Sequence, residues 1–172
     1  ITMTRILTFA TIGRPLALCA ALLLSGCSSI MSNEPDPLDG LTAVYSWRAE
    51  GNMVFACAYD TQGAYWRFIR PEGSLYDEAG KQQATLLADF GIRARDGSQI
   101  AARIVKQKNA DSARNLKPAL FETSAPAKGM LKGIRFVERR SPEGGMPLAG
   151  CSPSQRGKRL TVPFKARYIF YR

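Results

Sequence analysis

Apolar and polar residues alternate in short runs from Val44 to the end of the chain. The last run is the clearest, because Phe164, Ala166, Tyr168 and Phe170 share one side of an extended backbone. A period of two is typical of a strand with one buried face. The runs that predict strands are residues 44–48, 53–59, 64–70, 100–105, 134–139 and 164–172.

Turn-forming residues separate these runs and define the fold class. Gly51-Asn52, Gln62-Gly63 and residues 71–74 and 77–80 predict breaks, and Asp96-Gly97 predicts a hairpin. No window keeps a helical period beyond about two turns, and only residues 111–116 favour a short helix. Some seven to nine short strands predict an all-β protein, a single antiparallel β-sandwich or barrel-like domain with at most one short helix.

The first residues have the pattern of an export signal. Arg5 and Arg14 are the only charges among the first 33 residues, and residues 16–24 form an apolar run. Nine apolar residues are too few for a membrane span, which needs about 20, and the pattern is typical of a cleaved signal peptide. A plain secretory signal and an uncleaved apolar anchor remain alternatives.

The end of that run resembles the lipobox of bacterial lipoproteins, in the sequence Leu24-Ser25-Gly26-Cys27. The resemblance implies cleavage before Cys27, acylation of Cys27 and attachment to a membrane through the lipid. Ser28 stands where aspartate would favour the inner membrane, so the resemblance implies the outer membrane, facing the periplasm.

The 172 residues therefore divide into three predicted segments. Residues 1–26 are the lipoprotein signal peptide, residues 27–40 are an acidic flexible tether, and residues 41–172 are the β-rich domain. Residues 28–40 would reach at most about 45 Å when extended. A hydrophobic content of 45% and a charged content of 22% are typical of a folded domain.

Four cysteines are present, and two of them remain for a disulfide. Cys19 leaves with the signal and Cys27 takes the lipid, so Cys57 and Cys151 are predicted to pair in an oxidising compartment. A redox or catalytic thiol is the alternative, although neither cysteine has a C-x-x-C partner.

The chain contains no histidine, which excludes Ser-His-Asp and Cys-His catalysis and histidine-bound zinc or haem. No cofactor and no metal site are predicted. Carboxylates are the acid–base groups that remain, and a pair of them in one pocket would define a small hydrolase. The candidates, which also lie in or beside predicted turns, are Glu72, Asp77, Glu78, Asp89 and Asp96.

Basic residues dominate the predicted domain, which has 22 Lys and Arg against 11 Asp and Glu. A field of this sign attracts polyanions, which in an envelope are lipid phosphates, lipopolysaccharide or peptidoglycan carboxylates. No nucleic-acid motif is present, and a scattered solubilising surface is the alternative. The possible anion-binding residues are Arg156, Lys158, Arg159, Lys165 and Arg167, with Arg135, Arg139 and Arg140 near another strand.

Aromatic residues cluster in the first predicted strands and have two interpretations. They predict either core and cross-strand packing or a platform for sugar binding. The set is Tyr45, Trp47, Tyr59, Tyr65, Trp66 and Phe68.

Several motifs resemble DUF3455, a family of secreted and lipid-anchored proteins of unknown function. They include residues 55–57, 66–68, 71–77, 96–98, 144–147 with 150–151, and the ending 162–171. The resemblance implies a compact β-rich exported domain with the cysteine pair and no established activity. The family usually has a histidine and a Gly-Pro-x-Trp motif where this chain has Leu86 and residues 89–92, so a site in that region would be lost or remade here.

The sequence thus predicts a lipid-anchored envelope protein, a non-enzymatic binding or structural module for anionic envelope components. Another envelope protein is a further possible partner, for which an exposed apolar patch would be the sign. The small periplasmic hydrolase with paired carboxylates is the alternative function.

Overall fold

A computed structural model describes residues 35–124, 126 and 128–172. Eight antiparallel strands form a closed barrel in which each strand pairs with the next and the last pairs with the first. The strands are β1 (Ala43–Asp60), β2 (Gly63–Tyr76), β3 (Gln82–Leu86), β4 (Ile92–Ala94), β5 (Gln99–Gln107), β6 (Ala119–Ser124), β7 (Phe136–Gly144) and β8 (Arg159–Tyr171). The predicted all-β class is confirmed, and of its two forms the barrel is the one observed.

Helical structure is limited, within the described residues, to two single 3₁₀ turns at Ala88–Phe90 and Pro153–Gln155. Residues 111–116, the stretch that favours a short helix, form bends and a turn instead. Asn115 forms an isolated antiparallel bridge with Gly145. This pairing requires an extended backbone at the end of the segment, which is incompatible with a helix there.

Strands β1 and β2 run through two of the predicted breaks, which are therefore wrong. Gly51 pairs directly with Gly73 across the two strands. A Cβ atom on Gly51 would collide with the backbone of Glu72, and one on Gly73 would lie 2.8 Å from the Glu50 carbonyl oxygen. These glycines allow a close approach of two strands rather than ending them.

The core lies inside the barrel and receives side chains from all eight strands. The alternation predicted for the last strand is confirmed, since Phe164, Ala166, Tyr168 and Phe170 are all buried there. Trp47 packs against Phe170 with ring centroids 4.6 Å apart.

The two ends of the barrel differ, and we call them the closed end and the mouth. The closed end is where β1 begins and β8 ends, and there Thr42 and Arg172 exchange two backbone hydrogen bonds of 3.0 Å. The mouth is the opposite end, with the β1–β2 hairpin and the loops 108–118 and 145–158. The Asp96-Gly97 hairpin, which is confirmed between β4 and β5, lies at the closed end.

The predicted signal peptide and Cys27 lie outside the described residues. Of the predicted tether, residues 35–40 are described, and 37–40 form turns. No helix in the described part of the chain has the length and apolar character needed to cross a membrane.

Candidate functional site

The five predicted anion-binding residues fall into two groups on the barrel. Arg156, Lys158 and Arg159 lie at the mouth, where the backbones of Lys158 and Gly157 bond to Cys57 at the end of β1. Lys165 and Arg167 lie further along β8, on the outer wall of the barrel. The set is therefore not one continuous site.

The mouth group has a fourth basic member that the sequence analysis missed. Arg159 pairs with Ala56, and Ala56 pairs with Arg67 on the next strand. Two strand spacings separate the two arginines by about 10 Å, and only the small alanine lies between them. None of the five ion pairs among the described residues contains Arg67, Arg156, Lys158 or Arg159.

Acidic residues surround the two cations on the outer wall. Lys165 lies between Glu50 and Glu143 on the neighbouring strands, and Arg167 forms an ion pair with Glu78. Arg48, Arg70 and Arg140 each pair with a glutamate two positions away in the same strand. Alternating charge of this kind is typical of a solvated surface.

Exposed apolar side chains are concentrated at the mouth. Tyr59 is 55% exposed, and Leu148 is 72% exposed. Five of the six large hydrophobic side chains exposed among the described residues lie at the mouth, namely Tyr59, Tyr65, Phe68, Met146 and Leu148. Together with Arg67, Arg156, Lys158 and Arg159 they form what we call the mouth surface.

Two links hold the mouth loop against the hairpin. The Cys57–Cys151 disulfide is present, with Cα atoms 6.0 Å apart, and the predicted pairing is confirmed. The Trp66 Nε1 atom donates a hydrogen bond of 3.0 Å to the Ala149 carbonyl. Segments distant in sequence therefore form one surface.

A cavity of about 490 Å³ opens at the mouth. Aromatic side chains form much of its wall, and Lys117 and Arg139 are its two charged residues. No acidic residue lines it among those the structure describes. The aromatic lining comprises Phe55, Trp66, Phe68 and Phe90.

The predicted aromatic platform is therefore divided between core and mouth. Tyr45 and Trp47 stack at the closed end with ring centroids 4.7 Å apart. Trp66 and Phe68 line the cavity, whereas Tyr59 and Tyr65 are exposed.

Arg139 is not a surface residue, which corrects the sequence analysis. It is only 3% exposed, and its guanidinium lies 5.5 Å from the centre of the Phe121 ring. Its Nε and Nη2 atoms donate bonds of 3.1 and 2.8 Å to the Lys117 carbonyl. The available signal was weak: Arg139 shares the side of its strand with Val137, which is buried, but also with Arg135, which is exposed.

The candidate hydrolase carboxylates stabilise turns and ion pairs. A hydrogen bond from the Lys81 backbone contributes most to lowering the pKa of Asp77, and the Ser98 side chain contributes most to lowering the pKa of Asp96. A general acid needs a raised pKa instead. Glu72 and Glu78 form ion pairs with arginines, and Asp89 lies in the first 3₁₀ turn.

No group of three or more acidic or cysteine side chains in the described ranges is arranged to hold a metal ion. The charged groups that line the mouth cavity, Lys117 and Arg139, are both basic. The arrangement is thus suited to binding an anionic or apolar ligand rather than a cation.

The fold and its mouth define a closed eight-stranded antiparallel barrel with a concave, partly aromatic opening, an architecture that can hold one small ligand. The family model described as Protein of unknown function (DUF3455) matches residues 90–172, which confirms the predicted resemblance over that range. Residues 44–89, which carry other parts of the resemblance, lie outside the match. No curated protein and no solved structure matches the chain significantly.

Of the positions where the resemblance implies a departure from the family, Leu86 and residues 89–92, only Phe90 lines the cavity. Leu86 is buried in the core. Phe90 lines the cavity and stacks on Phe68, with ring centroids 5.6 Å apart and planes 7° from parallel. Asp89 and Phe90 both have positive φ, 55° and 61°, an uncommon conformation for residues other than glycine. This segment fills the space between β2 and β5.

Proposed function

We propose that the protein is a lipid-anchored envelope protein, acylated on Cys27, whose mouth surface binds anionic components of the envelope. In this proposal the lipid holds the protein at the outer membrane, facing the periplasm. The anchor is supported by Leu24-Ser25-Gly26-Cys27 and by the apolar run before it.

The observation that carries the binding role is that four cations share the mouth with most of the large apolar side chains exposed among the described residues. On the outer wall, arginines are paired with glutamates. At the mouth, Arg67, Arg156, Lys158 and Arg159 take part in none of the ion pairs found among the described residues. Cations outside these pairs, such as Arg95, Lys132 and Arg135, are also exposed at the closed end, so the exposed apolar side chains beside its cations distinguish the mouth. Exposed cations attract anions in a salt-dependent way.

The exposed apolar residues favour phosphate-bearing amphiphiles over peptidoglycan as the ligand. Tyr59 and Tyr65 each combine an apolar ring with a polar hydroxyl, which suits the headgroup layer of a lipid surface. A polymer of sugars and carboxylates would use the cations but would leave Leu148 in water. Lipid phosphates or lipopolysaccharide would contact both kinds of side chain.

The hydrolase is less well supported, because the carboxylates with shifted pKa values are held in the ionised form. Asp77 and Asp96 accept hydrogen bonds that stabilise their turns. Neither has the raised pKa that a glycosidase-type acid requires.

The experiment is a vesicle flotation assay with the unlipidated chain that begins at Ser28. We expect it to float with vesicles that contain about 30% anionic lipid, and to be released as salt rises above about 0.5 M. Charge reversal at Arg156, Lys158 and Arg159 should abolish most of this binding. Reversal at Arg95, Lys132 and Arg135, which are exposed at the closed end, is the matched control and should change it little.

Two results would contradict the proposal. If the two triple variants lose vesicle binding equally, binding depends on net charge and not on the mouth surface. If the protein binds peptidoglycan but not vesicles, its ligand is a different envelope component. The anchor is tested separately by mass spectrometry of the mature protein, in which Cys27→Ala should leave the precursor unprocessed.

A further inference from the structure

The mouth cavity contains a combination of residues that the surface proposal does not use. Its wall is largely apolar and aromatic, and its charged groups are both basic. Pockets of about 300–1,000 Å³ with an apolar wall and a few polar groups are typical small-molecule sites. The cavity, at about 490 Å³, lies within that range.

Arg139 supplies the second observation. Its side chain is almost fully buried, and within the described residues its partners are the Lys117 carbonyl and the face of Phe121 rather than a carboxylate. Burial raises the pKa of Tyr168, an effect that the nearby Arg139 guanidinium partly offsets. A buried cation without an acidic partner is stabilised when an anion binds beside it.

The cavity has a definite floor. Phe90 also lines a second void, of about 10 Å³, together with Leu86, Phe121 and Tyr168, and this volume is at the lower limit for a single water. A ligand would therefore remain at the level of Phe90 and Arg139.

We propose that the mouth cavity binds a single-chain anionic amphiphile. Its carboxylate or phosphate would lie against Arg139 and Lys117, and its apolar chain would pack among Phe55, Trp66, Phe68 and Phe90. Phe68 is 37% exposed, so chain binding would also cover apolar surface that faces water. The site shares Phe68 and Met146 with the mouth surface, but it does not depend on the anchor or on the four mouth cations.

The test is isothermal titration calorimetry of the unlipidated chain with decanoate and decyl phosphate, each below its micellar concentration, and with decanol below its solubility limit. We expect both anions to bind, and decanol to bind at least about tenfold more weakly, because it lacks the charge that Arg139 would neutralise. A preference for decanoate or for decyl phosphate identifies the anionic group.

Variants test where the amphiphile binds. Arg139→Gln should weaken decanoate binding by about tenfold to a hundredfold, whereas Arg140→Gln, its exposed neighbour in β7, should not. If Arg139→Gln does not fold, as its thermal unfolding would reveal, Phe68→Ala should still weaken binding several-fold. Binding should also change the tryptophan fluorescence, and Trp66→Phe should remove that change, since the chain's other tryptophan, Trp47, is buried at the closed end.

Equal affinity for decanoate and decanol, or no binding of either anion, would overturn the proposal. The proposal for the mouth surface is tested separately from the proposal for the cavity. Charge reversal at Arg156, Lys158 and Arg159 should preserve decanoate binding, and Arg139→Gln, at a buried residue outside the mouth surface, should preserve the vesicle flotation.

Discussion

The two ends of the barrel use aromatic residues in opposite ways. At the closed end, Tyr45 stacks on Trp47, and Phe170 packs edge-on against Tyr45 and at a tilt against Trp47. The Tyr45 hydroxyl donates to the Met130 carbonyl. Leu131, in the adjoining turn, is fully buried. These rings fill space and their polar atoms are satisfied, as in an ordinary protein core.

At the mouth, rings of the same kind surround open space. Phe55, Phe68 and Phe90 form a chain of contacts with centroids 5.6 to 5.8 Å apart, yet Phe68 remains partly exposed and the cavity is open. One end thus stabilises the barrel, and the other retains the apolar surface that a ligand would cover.

The sharpest test of this difference is the same truncation at each end. Phe170 is fully buried and Phe68 is 37% exposed. Phe170→Ala should lower the free energy of unfolding by about 3–5 kcal/mol, the usual cost of an aromatic cavity in a core. Phe68→Ala should lower it by only about 1 kcal/mol, and denaturant unfolding measures both.

Equal losses would show that the mouth is packed as a core. A larger loss for Phe68→Ala would assign the mouth, rather than the closed end, the main stabilising role.

The disulfide should have the next largest effect. The bridge joins residues 94 positions apart, so its removal should lower the free energy of unfolding by about 2–4 kcal/mol. Cys57→Ser, Cys151→Ser and the double variant should lose similar amounts. Trp66→Phe, which removes the bond to Ala149 and part of the ring, should cost about 1 kcal/mol.

Hydrogen exchange locates that loss. Amides of residues 145–158 should exchange faster without the bridge, and those of residues 128–135 at the closed end should not. A change confined to the closed end would contradict the assignment of the bridge to the mouth.

Much of the closed end could be predicted from sequence, because it depends on local patterns. The alternation of Phe164, Ala166, Tyr168 and Phe170 identified a strand and its buried face, and Asp96-Gly97 identified a hairpin. Gly51 and Gly73 were misinterpreted because each looks like a break until its partner strand is known. Their structural role depends on a pairing between residues that are 22 positions apart in the sequence.

The mouth was harder to predict because it is assembled from distant segments. Arg67 joins the mouth cations only through its register with Ala56 and Arg159, and Phe90 reaches the cavity through a turn with positive φ. A run of basic residues identified Arg156, Lys158 and Arg159, since they are close in sequence. It did not distinguish them from Lys165 and Arg167, whose acidic neighbours lie on other strands.

The smallest expected effect concerns pH at the closed end. The Asp96 carboxylate accepts bonds from the Ser98 backbone and hydroxyl, at 3.0 and 2.7 Å, and from the Met130 backbone at 2.7 Å. These bonds hold its folded pKa below the ordinary value of 3.8. The stabilisation is therefore complete above that value and is lost as the pH falls through the lower folded pKa. Asp96→Asn should lower the melting temperature at about pH 6, and the difference from the wild-type protein should shrink toward about pH 2.

Asp60→Asn in the mouth hairpin is the control. It should lower the melting temperature less at the higher pH, because Asp60 accepts only the Gln62 backbone bond among those found in the described residues. A difference between Asp96→Asn and wild type that stays constant with pH would show that the turn does not depend on the ionised carboxylate.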